Sequence, residues 1–257
     1  MKKKISAAQR RHQDYLRRKG LKVGNVYRSR LEALRRKEVR RVLGLCADVA
    51  DKSQWASIIT NNLSEAGYFE SWMQGLYVES GLPQAKSIAR DLTRGKAETP
   101  SLLWESQIRR YATENAGRKI VSVSGTLRDT LIEVLAEELQ EDVNVAPFQL
   151  SKRIFSKFNK LLPWQCLRIA QTETMVALAE GGAVAADSLE VDYLKEWCIS
   201  GVGNTRESHE IMDGITVDQN EYFQLEDCML LYPHDQSTNP PAGEIINCAC
   251  SCIRIPK

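Results

Sequence analysis

Three cysteines at alternate positions near the C-terminus are the residues whose type and spacing most directly suggest chemistry. On a strand, Cys248, Cys250 and Cys252 would project from one face, about 6 to 7 Å apart along the backbone. Two such thiolates can bind one Zn²⁺ ion if His209 or Cys198 completes the ligand shell. The spacing is permissive, because a structural zinc site usually has two Cys-x-x-Cys pairs. Free thiols packed as small apolar side chains, or a strained disulfide between Cys248 and Cys250, remain alternatives.

A second set of candidate residues is polar and lies in the string Arg168-Ile-Ala-Gln-Thr172-Glu173. On a helix, Arg168 and Thr172 share one face, and Glu173 lies about 100° further round. In an enzyme, Glu173 and His209 could act as acid and base while Arg206 holds a phosphate. In a structural protein, the same groups would tie the helix to a neighbouring loop. The sequence favours the structural interpretation, because no nucleophile accompanies these residues.

The sequence patterns of several enzyme classes are missing. The chain has no phosphate-binding Walker loop, no Gly-x-Gly-x-x-Gly, no Gly-x-Ser-x-Gly and no His-Glu-x-x-His. Their absence argues against phosphate transfer, dinucleotide use, serine hydrolysis and zinc proteolysis. We therefore expect a protein that is not an enzyme, with structural zinc as its one candidate cofactor.

The charges of the chain are strongly segregated, although its net charge is only +2. Residues 1–45 hold 16 of the 35 lysines and arginines and three acids, a net charge of +13, whereas the remainder carries −11. A basic helix face attracts a polyanion such as nucleic acid, an acidic protein surface, or only solvent. The residues expected to contact nucleic acid or a protein partner are Arg10, Arg11, Arg17, Arg18, Lys19, Arg35, Arg36, Arg40 and Arg41.

The spacing of apolar residues predicts an α+β protein, with a mainly α-helical N-terminal region (about 1–160) and a small α+β C-terminal domain containing a short β-sheet. We divide the chain into a basic arm and first helix (1–45), a helical region (46–160) and an α+β domain (161–257). Hydrophobic residues make up 43% of the sequence, as in ordinary globular proteins. No apolar run approaches the ~20 residues of a membrane span, and seven cysteines, an odd number, fit a reducing cytosolic environment.

Local signals place the individual elements. Leucines at every fourth position predict a helix over 127–141, and apolar spacing predicts further helices over 147–160 and 163–180. Helix breaks or ends are expected at Gly67, Gly81-Leu82-Pro83, Thr99-Pro100 and Gly181-Gly182, a short extended segment or turn near 120–125, and a helix start at Pro163. Strands are expected at Tyr193–Ser200 and Ile245–Ile255, and Asp213-Gly214 is typical of a turn.

Several short motifs of the C-terminal third follow one another in a recognisable order. They are Arg168-Ile-Ala-Gln-Thr-Glu173, Gly181-Gly182, Lys195-Glu-Trp197, Thr205-Arg206-x-x-His209-x-x-Met212-Asp213-Gly214, Phe223, Tyr232-Pro233-x-Asp235 and Glu244-Ile-Ile-Asn247-Cys248-Ala-Cys250. This order resembles the C-terminal domain of the phage Mu F-like head morphogenesis family, the minor head proteins of tailed phages. The resemblance covers about residues 160–254. The sequence departs from the family pattern at Ala249, where the family usually has arginine, and at Gly201-Val-Gly-Asn204, where it usually has an aspartate.

The resemblance implies a minor capsid protein, assembled in the host cytoplasm and located in the virion at the portal vertex. Its expected partners are the portal protein, other head proteins and packaged double-stranded DNA, and its expected role is in head assembly and DNA packaging or ejection. The alternatives are a nuclease or toxin-like enzyme using Glu173 and His209, and a DNA-binding protein that acts through the basic arm.

We expect the motif residues to form a structural network that locks the helix at 163–180 to the β-part of the domain. Its expected members are Arg168, Thr172, Glu173, Trp197, Arg206, His209, Asp213 and Asn247. Trp197 and Phe223 would supply the apolar mass beneath the polar groups. If the network is partly buried, removing one charged member should cost several kcal/mol.

Overall fold

A computed structural model of the chain describes residues 7–96, 100–199 and 205–257. The described residues up to 187 form α1 (Ala7–Ala47), α2 (Trp55–Asn62), α3 (Ala66–Thr93), α4 (Ser101–Glu141) and α5 (Pro147–Asp187), with a short 3-10 helix at Lys52–Gln54. The remainder contains β1 (Tyr193–Cys198), α6 (Glu207–Met212), β2 (Thr216–Asp218), β3 (Phe223–Gln224), β4 (Met229–Leu230), α7 (Ala242–Ile245) and β5 (Ser251–Pro256). The predicted α+β class is confirmed.

Contacts between residues divide the chain into two compact units that do not follow its order. The first unit comprises Met1–Asn25, Gln74–Tyr111 and Arg168–Lys257, and the second comprises Val26–Met73 and Ala112–Leu167. Helices α1, α3, α4 and α5 each contribute residues to both units. The division into consecutive segments at residues 45 and 160 stays a prediction.

Glycines and prolines that the sequence suggested as helix breaks lie inside helices. The predicted breaks at Gly67, Gly81-Leu82-Pro83, Pro163 and Gly181-Gly182 fall within α3 or α5, and residues 120–125 fall within α4. These predictions are wrong, and at Gly81 and Gly181 the reason is that close packing requires glycine. A Cβ atom on Gly81 would lie 2.8 Å from the carbonyl oxygen of Ala177, and one on Gly181 would collide with the backbone of Gly81. Thr99 lies outside the described residues.

The second unit has its own apolar core. Its fully buried side chains include Trp55, Ile59, Phe69, Leu131 and Phe158. Trp72 stacks on Phe69 with ring centroids 5.3 Å apart, and its indole N–H donates to the carbonyl oxygen of Tyr27 at 2.8 Å. Large aromatic rings therefore supply much of the area that this unit removes from water.

Arg35 belongs to this core and not to a basic surface. Its side chain donates to both oxygens of Glu65, from Nε at 2.7 Å and from Nη2 at 3.0 Å, and both residues are buried. The Tyr68 hydroxyl donates to the same carboxylate at 2.9 Å. The expectation that Arg35 contacts a polyanion is therefore wrong: its charge is neutralised inside the second unit.

The other basic residues of α1 differ in how far they are engaged. Arg11, Arg18, Lys19, Arg40 and Arg41 are exposed, Arg17 and Arg36 are half-buried, and the side chain of Arg10 lies outside the described part of the chain. Arg41 donates twice to Glu38, at 2.9 and 2.7 Å, and Arg36 donates to Asn159 at 3.2 Å. The exposed members of this set remain candidates for contact with a polyanion or a protein.

A small antiparallel sheet in the first unit supports the candidate site. Its strand order is β2-β1-β5, with Trp197 of β1 opposite Cys252 of β5, and β3 and β4 form a separate hairpin. The strand predicted from Tyr193 is confirmed as β1, although Ser200 and residues 201–204 lie outside the described residues. The strand predicted for Ile245–Ile255 is wrong in its first half, because β5 begins only at Ser251.

The three longest helices, α1, α4 and α5, have 41 residues each. Length alone would let them cross a bilayer, which needs about 20 residues. Their polar content argues otherwise: no helix in the part of the chain that the structure describes is both long enough and apolar enough for a membrane span.

Candidate metal centre

The site begins with the turn that connects α6 to the sheet. Gly214 has φ +75° and its N–H donates to the carbonyl oxygen of Trp197 at 2.8 Å, while Trp197 donates to Ile215 at 3.0 Å. Asp213 accepts the Ile199 N–H at 3.2 Å. The Asp-Gly turn predicted from the sequence is therefore confirmed, and it holds α6, with His209 on it, against β1.

The two cysteines of the site come from the segment between α7 and β5. Asn247 has φ +58°, a left-handed conformation that asparagine tolerates better than most residues. Its N–H donates to the hydroxyl of Thr172 on α5 at 3.1 Å. Directly after this anchored turn, Cys248 and Cys250 enter the core of the first unit, where both are buried.

His209, Cys248 and Cys250 form a compact buried cluster. The Nδ1 atom of His209 lies 3.5 Å from the Cys248 sulfur and 3.4 Å from the Cys250 sulfur. All three atoms lie within 4.8 Å of one another. In a zinc tetrahedron with Zn–N of about 2.0 Å and Zn–S of about 2.3 Å, nitrogen and sulfur are about 3.5 Å apart. The cluster thus has the spacing of three ligands around one ion.

Glu244 fixes the orientation of the His209 ring. Its Oε2 lies 2.7 Å from Nε2 of His209 and accepts a hydrogen bond from the Ser208 hydroxyl at 3.3 Å. With the proton on Nε2 directed at the carboxylate, Nδ1 keeps a free lone pair that faces the two sulfurs. This arrangement is the one in which a carboxylate supports a metal-binding histidine.

The proton equilibria of the cluster favour one thiolate. The pKa of Cys248 is well below its ordinary value, mainly because of its hydrogen bond with Cys250, while the two nearby histidines lower it further and burial opposes the shift. The same hydrogen bond, together with burial, raises the pKa of Cys250. Burial lowers the pKa of His209, but contacts with Cys248 and Glu244 outweigh it, so the net shift is upward. A deprotonated Cys248 is a ready ligand for a soft cation.

An apolar shell surrounds the cluster. Trp197 is fully buried, with its ring centroid 5.3 Å from that of His209 and 5.2 Å from that of Phe223, both edge to face. The other buried members of the shell are Met212, Leu225 and Leu230. Exclusion of water by such a shell strengthens the attraction between a cation and its thiolate ligands.

The remaining cysteines stay outside the cluster. Cys198, which the sequence suggested as a ligand, and Cys252, expected on the same strand face, do not belong to the group of candidate ligands. They stay outside because Cys248 and Cys250 precede β5, whereas Cys198 and Cys252 lie within strands. None of the seven cysteines, each in a described position, forms a disulfide, so the alternative of a Cys248–Cys250 disulfide is wrong.

The structure places the other predicted network residues at several separate contacts. Glu173 on α5 accepts a hydrogen bond from the hydroxyl of Tyr77 on α3 at 2.7 Å. Arg206 donates to the carbonyl oxygen of Ile246 at 2.6 Å. Arg168 is half-buried on α5. Hydrogen bonds of Thr172, Arg206 and His209 join α5 and the α6 region to the segment that follows α7.

Two residues at or near the site have no role assigned from the sequence. Glu244 begins the motif Glu244-Ile-Ile-Asn247-Cys248-Ala-Cys250, and His234 occupies the unspecified position of Tyr232-Pro233-x-Asp235. Local sequence patterns do not reveal the contact between Glu244 and His209, because the two residues are 35 positions apart and meet only in the folded chain. The short interval from Glu244 to the cysteines was the available signal, because a carboxylate beside metal ligands often orients a histidine.

Comparisons with known proteins identify no relative. No protein-family model matches the chain, and neither the curated proteins nor the solved structures include a significant match.

Proposed function

We propose that the chain is a minor head protein of a tailed phage, bound at the portal vertex, whose C-terminal part is a structural module stabilised by Zn²⁺. One observation carries this proposal: several of the motif pieces that resemble the Mu F-like domain come together at one buried cluster and the turn beside it. Thr172 contacts Asn247, and His209 lies between Glu244 and the two cysteines. Distant motif residues that converge on one core serve the stability of a module.

The engagement of the candidate catalytic residues supports a structural role. Glu173 is buried and bonded to Tyr77, and His209 is buried and held by Glu244 and two sulfurs. A general acid or base must reach its substrate within hydrogen-bond distance. In this arrangement both groups are occupied by neighbours within the first unit, as residues of a structural network would be.

Zinc is the ion that this donor set favours. Two thiolates and one imidazole suit Zn²⁺, whereas magnesium and calcium prefer oxygen ligands. Because the ligands come from α6 and from the segment after α7, an ion would crosslink parts of the chain that lie about 40 residues apart in sequence. The metal would thus stabilise the fold of the first unit.

The metal content of the purified full chain tests the zinc part of the proposal. We expect about one equivalent of zinc after dialysis, and loss of it in Cys248→Ser. Cys252→Ser is the matched control, since this cysteine lies outside the cluster. A wild-type chain without zinc, tested also after reconstitution under reducing conditions, contradicts a metal centre.

Co-purification with the portal protein tests the biological role. The chain would be expressed with the portal protein encoded beside it and run through size exclusion at moderate and high salt. Comigration with the portal ring that survives high salt supports the proposal. Absence of portal binding, together with nucleic acid that is lost at high salt, would favour the DNA-binding alternative.

Charge reversal separates the two uses of the basic helix. Arg18→Glu/Lys19→Glu changes two exposed side chains of α1, and Lys86→Glu/Arg90→Glu makes the same charge change on exposed residues of α3. If α1 touches DNA or an acidic portal surface, only the first pair should lower binding. Glu173→Gln and His209→Asn would be assayed for nuclease activity in parallel. A wild-type activity that disappears in both, with folding intact, contradicts the structural role.

A further inference from the structure

We infer that His234 is the fourth ligand of the metal centre, which makes it a closed Cys₂His₂ site. The inference rests on the zinc centre proposed above and extends it to a residue outside the compact group of three. A three-ligand centre keeps an open position for water or substrate, whereas a four-ligand centre is structural. The identity of the fourth ligand therefore decides what the site can do.

The first observation is that His234 is buried with one ring nitrogen unsatisfied. Its side chain is 1% exposed, and Nδ1 has no hydrogen-bond partner within the described residues. A buried polar atom without a partner costs free energy. A metal ion at the cluster would give this nitrogen a partner.

The second observation is that the tautomer of His234 suits a ligand. Its Nε2 lies 3.2 Å from the carbonyl oxygen of Cys250, which can only accept, so Nε2 carries the proton. The lone pair is then on Nδ1. The Cys250 carbonyl thus orients the second histidine, as Glu244 orients His209.

The third observation is that the backbone of Cys250 connects the His234 ring to the Cys248 sulfur. The carbonyl oxygen of Cys250 lies 3.2 Å from Nε2 of His234, and the N–H of Cys250 donates to the Cys248 sulfur at 3.4 Å. The His234 ring therefore lies beside the segment that carries both sulfurs. Its nitrogens are not within 4.8 Å of all three other ligand atoms, so binding of the ion requires the ring to close onto the cluster.

The backbone at His234 is held in a tight turn. His234 has φ +73°, an uncommon conformation for a residue other than glycine. The adjacent Asp235 is buried and accepts the N–H groups of Leu231 and Ser237 at 2.9 and 2.8 Å. These bonds fix a tight turn, and they offset the cost of the left-handed residue within it.

A second orphaned group agrees with this assignment. The indole Nε1 of Trp197 is buried and has no hydrogen-bond partner among the described residues. Trp197 packs in the same buried cluster as Cys248 and Cys250. On metal binding Cys250 becomes a thiolate, and its sulfur becomes a better acceptor for the indole N–H. Both unsatisfied atoms thus gain partners when the ion binds.

Replacement by glycine with imidazole rescue tests the inference. Glycine adopts φ > 0 at little cost, so His234→Gly removes the ring without straining the turn. Zn²⁺ affinity of the full chain would be measured by competition with a chromophoric chelator, and Co²⁺ absorption would report coordination. We expect a loss of affinity larger than the ~10–100-fold that removal of an outer-shell partner costs. We also expect added imidazole to restore both the affinity and the tetrahedral Co²⁺ spectrum.

Two controls keep the result interpretable. His234→Asn tolerates the left-handed backbone and retains a donor, so it should lose affinity like the glycine variant if the ring is a ligand. Cys228→Ser changes a free thiol outside the cluster and should leave affinity unchanged. Circular dichroism would verify folding at saturating zinc, and a variant that refolds only with imidazole still supports the inference.

The outcomes also separate this inference from the proposed function. Equal affinity of the wild type and His234→Gly overturns the role of His234 and leaves a three-ligand zinc centre. A loss of affinity that imidazole does not restore, in a folded variant, overturns it as well. A wild-type chain that binds neither Zn²⁺ nor Co²⁺ overturns both the inference and the zinc centre, whereas portal binding is tested independently.

Discussion

The N–H of Asn247 donates a hydrogen bond to Thr172 Oγ1 at 3.1 Å, across 75 residues of sequence. The bond links helix α5 to the turn from which Cys248 enters the candidate metal centre. The acceptor is a side chain on a rigid helix, whereas the donor belongs to a left-handed residue in a loop. The helix thus fixes where the loop turns, and the loop fixes where the first sulfur lies.

We predict that Thr172→Val destabilises the full chain by about 1 kcal/mol, because the near-isosteric valine removes the acceptor and leaves the partly buried amide without a partner. Chemical denaturation measures the effect as a lower unfolding midpoint at unchanged slope. Thr172→Ser keeps the hydroxyl and is the control. Equal midpoints for the valine and serine variants would show that the bond does not contribute.

Breaking the buried Arg35–Glu65 ion pair of the second unit should destabilise the chain more than Thr172→Val does. Replacing Arg35 by methionine leaves the Glu65 carboxylate buried without its cation, which typically costs 3–5 kcal/mol (about half of many proteins' stability). The exposed Arg41–Glu38 pair is the matched comparison, and Arg41→Met should cost only about 0–1 kcal/mol. The unfolding midpoints of the two variants in denaturant measure both losses of stability.

A double variant separates the pair from simple packing. Arg35→Met/Glu65→Leu removes both charges and should recover most of the stability that the single Arg35→Met variant loses. If the double variant is as unstable as the single one, packing by the arginine stem matters more than the unpaired charge.

Close approach of α3 and α5 predicts opposite effects for two glycines of the same helix. Gly81→Ala would place a Cβ atom 2.8 Å from the carbonyl oxygen of Ala177, so we expect destabilisation of at least ~1–3 kcal/mol. At Gly67 a Cβ atom would meet nothing within 4 Å, and Gly67→Ala should be neutral or stabilising by up to about 1 kcal/mol. Thermal unfolding of both variants checks the sign of each effect, and equal effects would contradict the packing argument.

These glycines also show why the sequence misplaced several helix ends. Glycine weakens a helix by about 1 kcal/mol, which makes it a reasonable marker of a helix end in an isolated segment. In α3 and α5 the glycines allow two backbones to approach, and the packing gained outweighs the propensity lost. That gain depends on a partner about 100 residues away in sequence, which local patterns do not contain.

The candidate metal centre, unlike these helix ends, could be predicted in part from the sequence. Cysteine and histidine are few in this chain, so their chemistry can be recognised without a fold: residue type and spacing made His209, Cys248 and Cys250 candidate ligands. The assumed strand was wrong because α7 and the left-handed Asn247 place both cysteines before β5. Arg35 shows the same limit, since charge density predicted an exposed contact and only the fold reveals Glu65 beside it.

The carboxylate that orients His209 predicts a graded loss of zinc affinity. Glu244→Gln keeps an acceptor for the His209 Nε2–H but loses the charge, and Glu244→Ala loses both. We expect the affinity to fall from wild type to glutamine to alanine, by ~10–100-fold in total. Glu210→Ala, an exposed change on α6, is the control and should bind zinc as the wild type does. Equal affinities across the series would contradict the orienting role.

Lys195 predicts a rise of stability with pH. It is buried in β1, and its Nζ donates to the carbonyl oxygens of Glu221 at 2.6 Å and Leu231 at 2.8 Å. Burial lowers its pKa from 10.5 to about 8. Between these values the unfolded chain holds a proton that the folded chain has released, so the free energy of unfolding rises with pH, by up to about 3 kcal/mol.

Lys195→Met isolates this contribution from other groups that titrate in the same range. Methionine has a similar length and no charge. From pH 8 to pH 10.5 the free energy of unfolding of the wild type should therefore rise relative to that of the variant. Denaturation at several pH values within this window measures it. A difference that is independent of pH would mean that the ammonium keeps its ordinary pKa in the folded chain, with the two carbonyl oxygens compensating for the loss of water.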